Sequence, residues 1–147
     1  MNVAKLILSE LAPVVSAQHG VFYMMDKTGA GSLLRLISTY AFRERKGLVT
    51  QFKVGEGLVG QCAMEKERIL VTDLPGDYVQ ISSGLGHAPP LNIVVLPVLF
   101  EGEVKAVIEL ASVNRFKDIH LTLLDQLTET IAIVLNTIAA NTRTESL

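Results

Sequence analysis

Three glycines, Gly55, Gly57 and Gly60, lie between a stretch of strand character, Val49 to Val54, and a short apolar run that opens at Leu58. The next strand candidate, Ile69 to Thr72, follows almost at once. This spacing limits the fold more than any other feature of the chain, because a helix between Gly60 and Ile69 has room for about two turns at 3.6 residues each. The pattern G-x-G-x-x-G with Asp73 beyond it also fits a dinucleotide fingerprint. There the glycines let the backbone approach a pyrophosphate at a helix N-terminus, and a later acid holds a ribose hydroxyl. Three things oppose that reading: the helix is too short for the usual crossover unit, the motif lies mid-chain, and a hairpin follows. The spacing instead predicts a corner in which Gly55 and Gly57 turn a strand into a short helix, Leu58 to Lys66, and Gly60 permits close packing.

The rest of the chain supplies an antiparallel frame around that corner. Val3, Leu6, Ile7, Leu11, Val14 and Val15 recur at helical spacing, so an amphipathic helix is expected over 2–18, interrupted by Pro13. Gly20 ends it, Val21 to Met25 reads as a strand, and Asp26 to Gly31 turns the chain into a second, Ser32 to Tyr40. Residues 74–90 hold Pro75, Gly76, Gly84, Gly86, Pro89 and Pro90, which exclude long regular structure beyond one short helix near 77–81. Tyr78, Val79, Ile81 and Leu85 make this loop too apolar for a solvated linker, and loops of such length inside a domain are commonly functional. Asn92 to Phe100 and Val104 to Ala111 form a hairpin about Glu101-Gly102-Glu103. Asp118 caps a last helix in which Leu124, Leu127, Ile131, Val134 and Ile138 alternate three and four steps, the rhythm of a helix–helix seam. Strands framed by helices imply an α+β domain with an antiparallel sheet.

Composition excludes several classes. A net charge of −2 over 147 residues leaves no basic footprint for nucleic acid. The single cysteine, Cys62, makes a disulfide framework impossible and suits a reducing, cytoplasmic setting. Met1-Asn-Val-Ala-Lys5 is no signal peptide, and no run reads as long or charge-free enough to cross a bilayer.

Taken together, Gly20-Val-Phe-Tyr23, Val54-Gly-Glu-Gly-Leu-Val-Gly-Gln61, Thr72-Asp-Leu-Pro75, Asn92-Ile-Val-Val-Leu-Pro-Val-Leu99 and Val107-Ile-Glu-Leu-Ala111 resemble a GAF domain over nearly the whole chain. The segment Asp77 to Pro90 is most similar to the GAF domains of bacterial multi-sensor hybrid histidine kinases, and Asn136 to Glu145 resembles the start of the helical linker after them. The resemblance implies one PAS-like domain over 1–147: terminal helices 2–18 and 118–145 on one face of a six-stranded antiparallel sheet, spanning 20–112 with its short helices and pocket loop. A ligand pocket lies on the other face. It further implies a piece of a two-component phosphorelay protein, with neighbouring kinase domains in the parent chain, a parallel homodimer through the terminal helices and no membrane insertion by this part.

The expected site follows from that picture. Tyr40, Asp73, Tyr78, Ser82, Ser83 and Asn92 are the polar ligand contacts and Ile81 and Val95 the apolar walls. Leu124, Leu127, Ile131, Val134 and Ile138 form the dimer seam, with Ile7 of the first helix left out of it. The cofactor is unknown, because no bilin or metal site is evident. Cys62 lacks the Cys-His pair of bilin-binding relatives and the second cysteine of sulfoxide-reducing ones, and reads as a small buried residue. His19, His87 and His120 lack metal-ligand spacing; His19 is placed at a helix end, His120 in solvent and His87 on the loop. Asn114-Arg-Phe116 with Asp118 echoes the Asn-Lys-Phe-Asp-Glu motif of cyclic-nucleotide relatives, but Arg115 replaces its lysine and the spacing is compressed. Two functions are expected: a sensor that binds a small molecule and relays the signal through its helices, or a ligandless dimerisation relay. A stand-alone enzyme finds no support in any nucleophile signature, so no catalysis is expected of these residues.

Overall fold

The two most apolar runs of the chain pair with each other and become the spine of a sheet. The computed structural model describes residues 3–27, 31–40, 49–73 and 92–146, and side-chain surroundings as far as residue 141. The elements are α1 (Val3–Val14), β1 (His19–Asp26), β2 (Leu33–Tyr40), β3 (Gln51–Lys53), α2 (Gly57–Glu65), β4 (Ile69–Val71), β5 (Asn92–Phe100), β6 (Glu103–Ser112) and α3 (Asp118–Ser146). Six strands form one sheet in the order β3-β2-β1-β6-β5-β4, and every pairing is antiparallel. β5 and β6 read as near-continuous hydrophobic runs because both faces of the sheet are covered. The edge strands are three residues each, which leaves little exposed ladder for another chain to join. Pro97 sits beyond the β4 pairing, where β5 has a partner on one side only.

Two cores follow from the two faces. On one, α1 and α3 pack through Leu8, Leu11, Ala12, Leu121, Leu124, Ile131 and Ala132 against Phe22, Val94, Leu96, Val98, Ala106, Ile108 and Leu110. On the other, α2 lays Leu58, Val59, Cys62 and Ala63 over Val21, Tyr23, Ile93, Val95, Val107 and Ala111. The chain from β3 to β4 runs between opposite edges of the sheet, so α2 crosses the face on its way. The expected fold, a six-stranded antiparallel sheet with both terminal helices on one side, is the one observed.

Boundaries differ in places for identifiable reasons. The first helix stops at Val14 rather than continuing to 18. Pro13 lies in its last turn, Ser16 adopts φ +58°, and Ala17 N–H closes the end on Ala12 O at 2.9 Å. His19 therefore opens β1 instead of ending a helix, and Gly20 lies inside that strand. α3 is long and apolar enough, over 118–141, to cross a membrane by length and composition, which corrects the expectation that no run is. Its buried residues, Leu121, Leu124, Ile131 and Ala132, face the sheet. The short helix expected near 77–81 lies outside the described residues.

Candidate functional site

The glycine corner is built to hold itself. Gly55 N–H donates to Gly60 O at 2.8 Å, Glu56 N–H to Lys53 O at 3.0 Å, and the Glu56 carboxylate accepts from Lys53 N–H at 2.9 Å. A Cβ on Gly60 would stand 2.2 Å from Lys53 O, so only glycine fits there. Two of the amides that a nucleotide-binding loop would aim at a phosphate are thus spent within the turn. β3 is an antiparallel edge strand with no parallel crossover after it. The dinucleotide reading is set aside on both counts.

The α2 side of the sheet carries the unusual chemistry. Glu109, in the middle of β6, is fully buried among apolar neighbours, opposite Val21 on β1 and Val95 on β5. Tyr23 and Cys62 both feel its charge. The Tyr23 phenol donates to Val49 O at 2.7 Å, meets the Phe52 ring edge-on at 5.5 Å, and is pushed up in pKa by burial and then by Glu109. Cys62 donates to Glu67 O at 3.3 Å, and its thiol is pushed up to about 12 by burial first, then by Glu65 and Glu109. A thiol held protonated and buried is neither a nucleophile nor a metal ligand. Among the described residues no group of three or more His, Cys, Asp or Glu is placed to hold a metal ion.

The expected ligand residues scatter. Val95 lies on the α2 face with Ile93, buried in the core of that side. Tyr40 does not: it packs with the α1–α3 core beside Gly20. Strict alternation from Leu34 and Leu36 would put Tyr40 on the α2 side. The irregularity opposite Phe22 and Tyr23 inserts Ile37 and turns the rest of β2 over. Asn92 also falls on the helix side, alternating with Val94 and Leu96, and its amide is engaged by Ser112 O and by the Asp73 N–H. Asp73 is exposed at φ +54° and ion-pairs with Arg115. Tyr78, Ile81, Ser82 and Ser83, with His87, lie outside the described residues. Glu109 and Tyr23 are the buried polar groups of this face, and the signal in the sequence was a lone acid inside the run Val107 to Ala111.

The expected seam divides as well. Leu124 (0% exposed) and Ile131 (9%) face the domain's own core, whereas Val134 (41%) and Ile138 (39%) face outward. Leu127 borders an open apolar groove of about 400 Å³ that α1 and α3 share, lined also by Leu6, Ile7, Val14 and Ile131. His120 is half-buried rather than solvated.

A family model for the GAF domain matches residues 2–136. No curated protein matches the chain. Among solved structures, the GAF domain of a phosphoenolpyruvate-protein phosphotransferase from Coxiella burnetii superposes with a TM-score of 0.74 at 18% identity, over 95% of this chain and 83% of that one. A GAF domain/HD domain protein from Geobacter sulfurreducens gives 0.73 at 13% identity, over 94% and 92%. The type II free methionine-R-sulfoxide reductase from Thermoplasma acidophilum gives 0.64 at 14% identity, over 90% and 94%. Such identities show a shared fold. With the family match over nearly its full length, the chain belongs to the GAF domain family, whose members are generally regulatory, ligand-sensing modules.

Proposed function

We propose that this chain is the sensory GAF module of a cytoplasmic two-component histidine kinase. It binds a small molecule against the α2 side of its sheet and passes occupancy to paired terminal helices. One observation carries the sensing part: Glu109, a carboxylate fully buried on a central strand within an apolar layer. Burial of such a group costs several kcal/mol unless it is partnered; Glu109 has an interaction within the fold, and its charge still reaches Tyr23 and Cys62. Buried acids with perturbed neighbours gather at functional sites. The matching ligand offers hydrogen-bond donors, such as an ammonium or amide group, within reach of Glu109, with Val95 as wall. Signalling then requires that the ligand prefer one of two arrangements of the helix pair. The kinase parent rests on the likeness of residues 77–90 and 136–145 to hybrid kinase sensors, and catalysis belongs to that parent.

A second reading, a ligandless dimerisation relay, is favoured by the apolar groove between α1 and α3 and by the outward Val134 and Ile138. Native mass spectrometry of the purified chain, set against its denatured mass, separates the two. The sensor predicts a dimer with a retained small molecule that Glu109→Gln loses. A dimer without added mass, unchanged by Glu109→Gln and by incubation with a library of small amines and amides, sinks the sensor and leaves the relay. A monomer sinks the pairing of these helices.

A further inference from the structure

Four stretches of chain meet where β5 begins and β6 ends. Asn92 and Ser112 stand opposite each other there, each 1% exposed. Asn92 Nδ2 donates to Ser112 O at 3.2 Å, and Asn92 Oδ1 accepts from the Asp73 N–H at 3.2 Å. Ser112 Oγ donates to Ser16 O at 3.0 Å and accepts from the Asn114 N–H at 3.0 Å. Gln18 closes the cluster, its Nε2 donating to Ser16 O at 2.9 Å and its Oε1 accepting from the Val113 N–H at 2.8 Å. On the outer side the Arg115 guanidinium pairs with the Asp73 carboxylate.

Asp73 lies two residues beyond β4 and Asn92 opens β5, while Ser16 to Gln18 is the exit of α1 and Val113 to Arg115 leads into α3. We propose that Asn92 and Ser112 are the coupling residues of this domain, joining both ends of the β4–β5 connection to both terminal helices. Asn92 and Ser112 are the buried members, and satisfied there they favour one arrangement, because a partial rearrangement strands one of their donors or acceptors away from water. The side chains of Asn92 and Ser112 each hold two groups on different segments, so moving one segment strains the others. Coupling through such a cluster carries a signal where the connected elements have two arrangements. The purpose of the cluster rests on the sensory reading; its existence as a coupling does not.

Hydrogen exchange read by NMR on the 147-residue chain tests it, with Asn92→Ala and the exposed Arg115→Ala compared with the parent. In Asn92→Ala the amides of Val113 and Asn114, neither of which bonds to Asn92, exchange at least tenfold faster while central-strand β1 amides change less than twofold. In Arg115→Ala the Asp73 amide, which bonds to Asn92 and not to Arg115, exchanges at least threefold faster. Acceleration confined to the Asp73 amide in Asn92→Ala, or equal across β1, overturns the coupling, as does an unchanged Asp73 amide in Arg115→Ala. Should Asn92→Ala fail to fold, the Arg115→Ala result decides alone. No ligand enters the measurement, so a chain that proves ligandless leaves the coupling standing.

Discussion

At Gly60 two effects oppose each other and their sizes decide the outcome. Alanine is favoured over glycine in a helix interior by about 1 kcal/mol. A Cβ there would press to 2.2 Å on the Lys53 carbonyl oxygen, which belongs to backbone pinned by the corner's own hydrogen bonds. Steric cost wins: Gly60→Ala is expected to destabilise the domain by about 3 kcal/mol in urea unfolding, and a neutral or stabilising effect contradicts the packing described. Cys62 gives a second residue-scale expectation. Its thiol ionises near 9 when unfolded and is pushed up to about 12 in the fold. Between those values the folded state holds a proton that the unfolded state has released, so stability is full below about pH 9 and falls as pH rises towards 12. The slope approaches about 1.4 kcal/mol per pH unit, and Tyr23, shifted upward for the same reason, adds to it at higher pH. Denaturant midpoints measured from pH 8 to 11 check this, and Cys62→Ala removes part of the slope. A thiol reagent at pH 8 labels the chain only after unfolding.

α3 works on two sides at once. At 100° per residue Leu127, Val134 and Ile138 fall within about 40° of one another, beside rather than opposite the buried row of Leu124, Thr128 and Ile131. A seam rhythm in sequence therefore merges two rows, one packed on the domain's own core and one facing outward. Charges separate them. Leu124→Asp and Ile131→Asp place a carboxylate in the core and are expected to unfold the domain, at a cost of about 3 kcal/mol or more. If the outward row pairs two chains, Val134→Asp and Ile138→Asp keep the circular dichroism of the folded chain but shift its mass in light scattering from dimer to monomer. A folded dimer in both latter variants refutes the outward row as an interface.

For the molecule as a whole, pairing and stability are linked. If the terminal helices associate, a dimer that dissociates on unfolding has a Tm that rises by a few degrees across a hundredfold range of protein concentration. Val134→Asp abolishes that dependence, and a Tm independent of concentration in the parent chain refutes the pairing. What the sequence determined by itself is local. Strand and helix identities, the hairpin at Glu101-Gly102-Glu103, the corner at Gly60 and the antiparallel class all follow from periodicity and turn chemistry, which act over a few residues. The expected site was only partly legible, for a geometric reason. Which face a strand residue occupies depends on register, and one inserted residue reverses it, as Ile37 does for Tyr40. Asn92 was expected as a ligand contact, yet its neighbours in space, Asp73 and Ser112, come from elsewhere in the chain and engage its amide. The burial of Glu109 comes from its place on β6 between two flanking strands on the α2 side of the sheet. Burial, face and partner are properties of contacts between distant segments, so only the tertiary structure decided them.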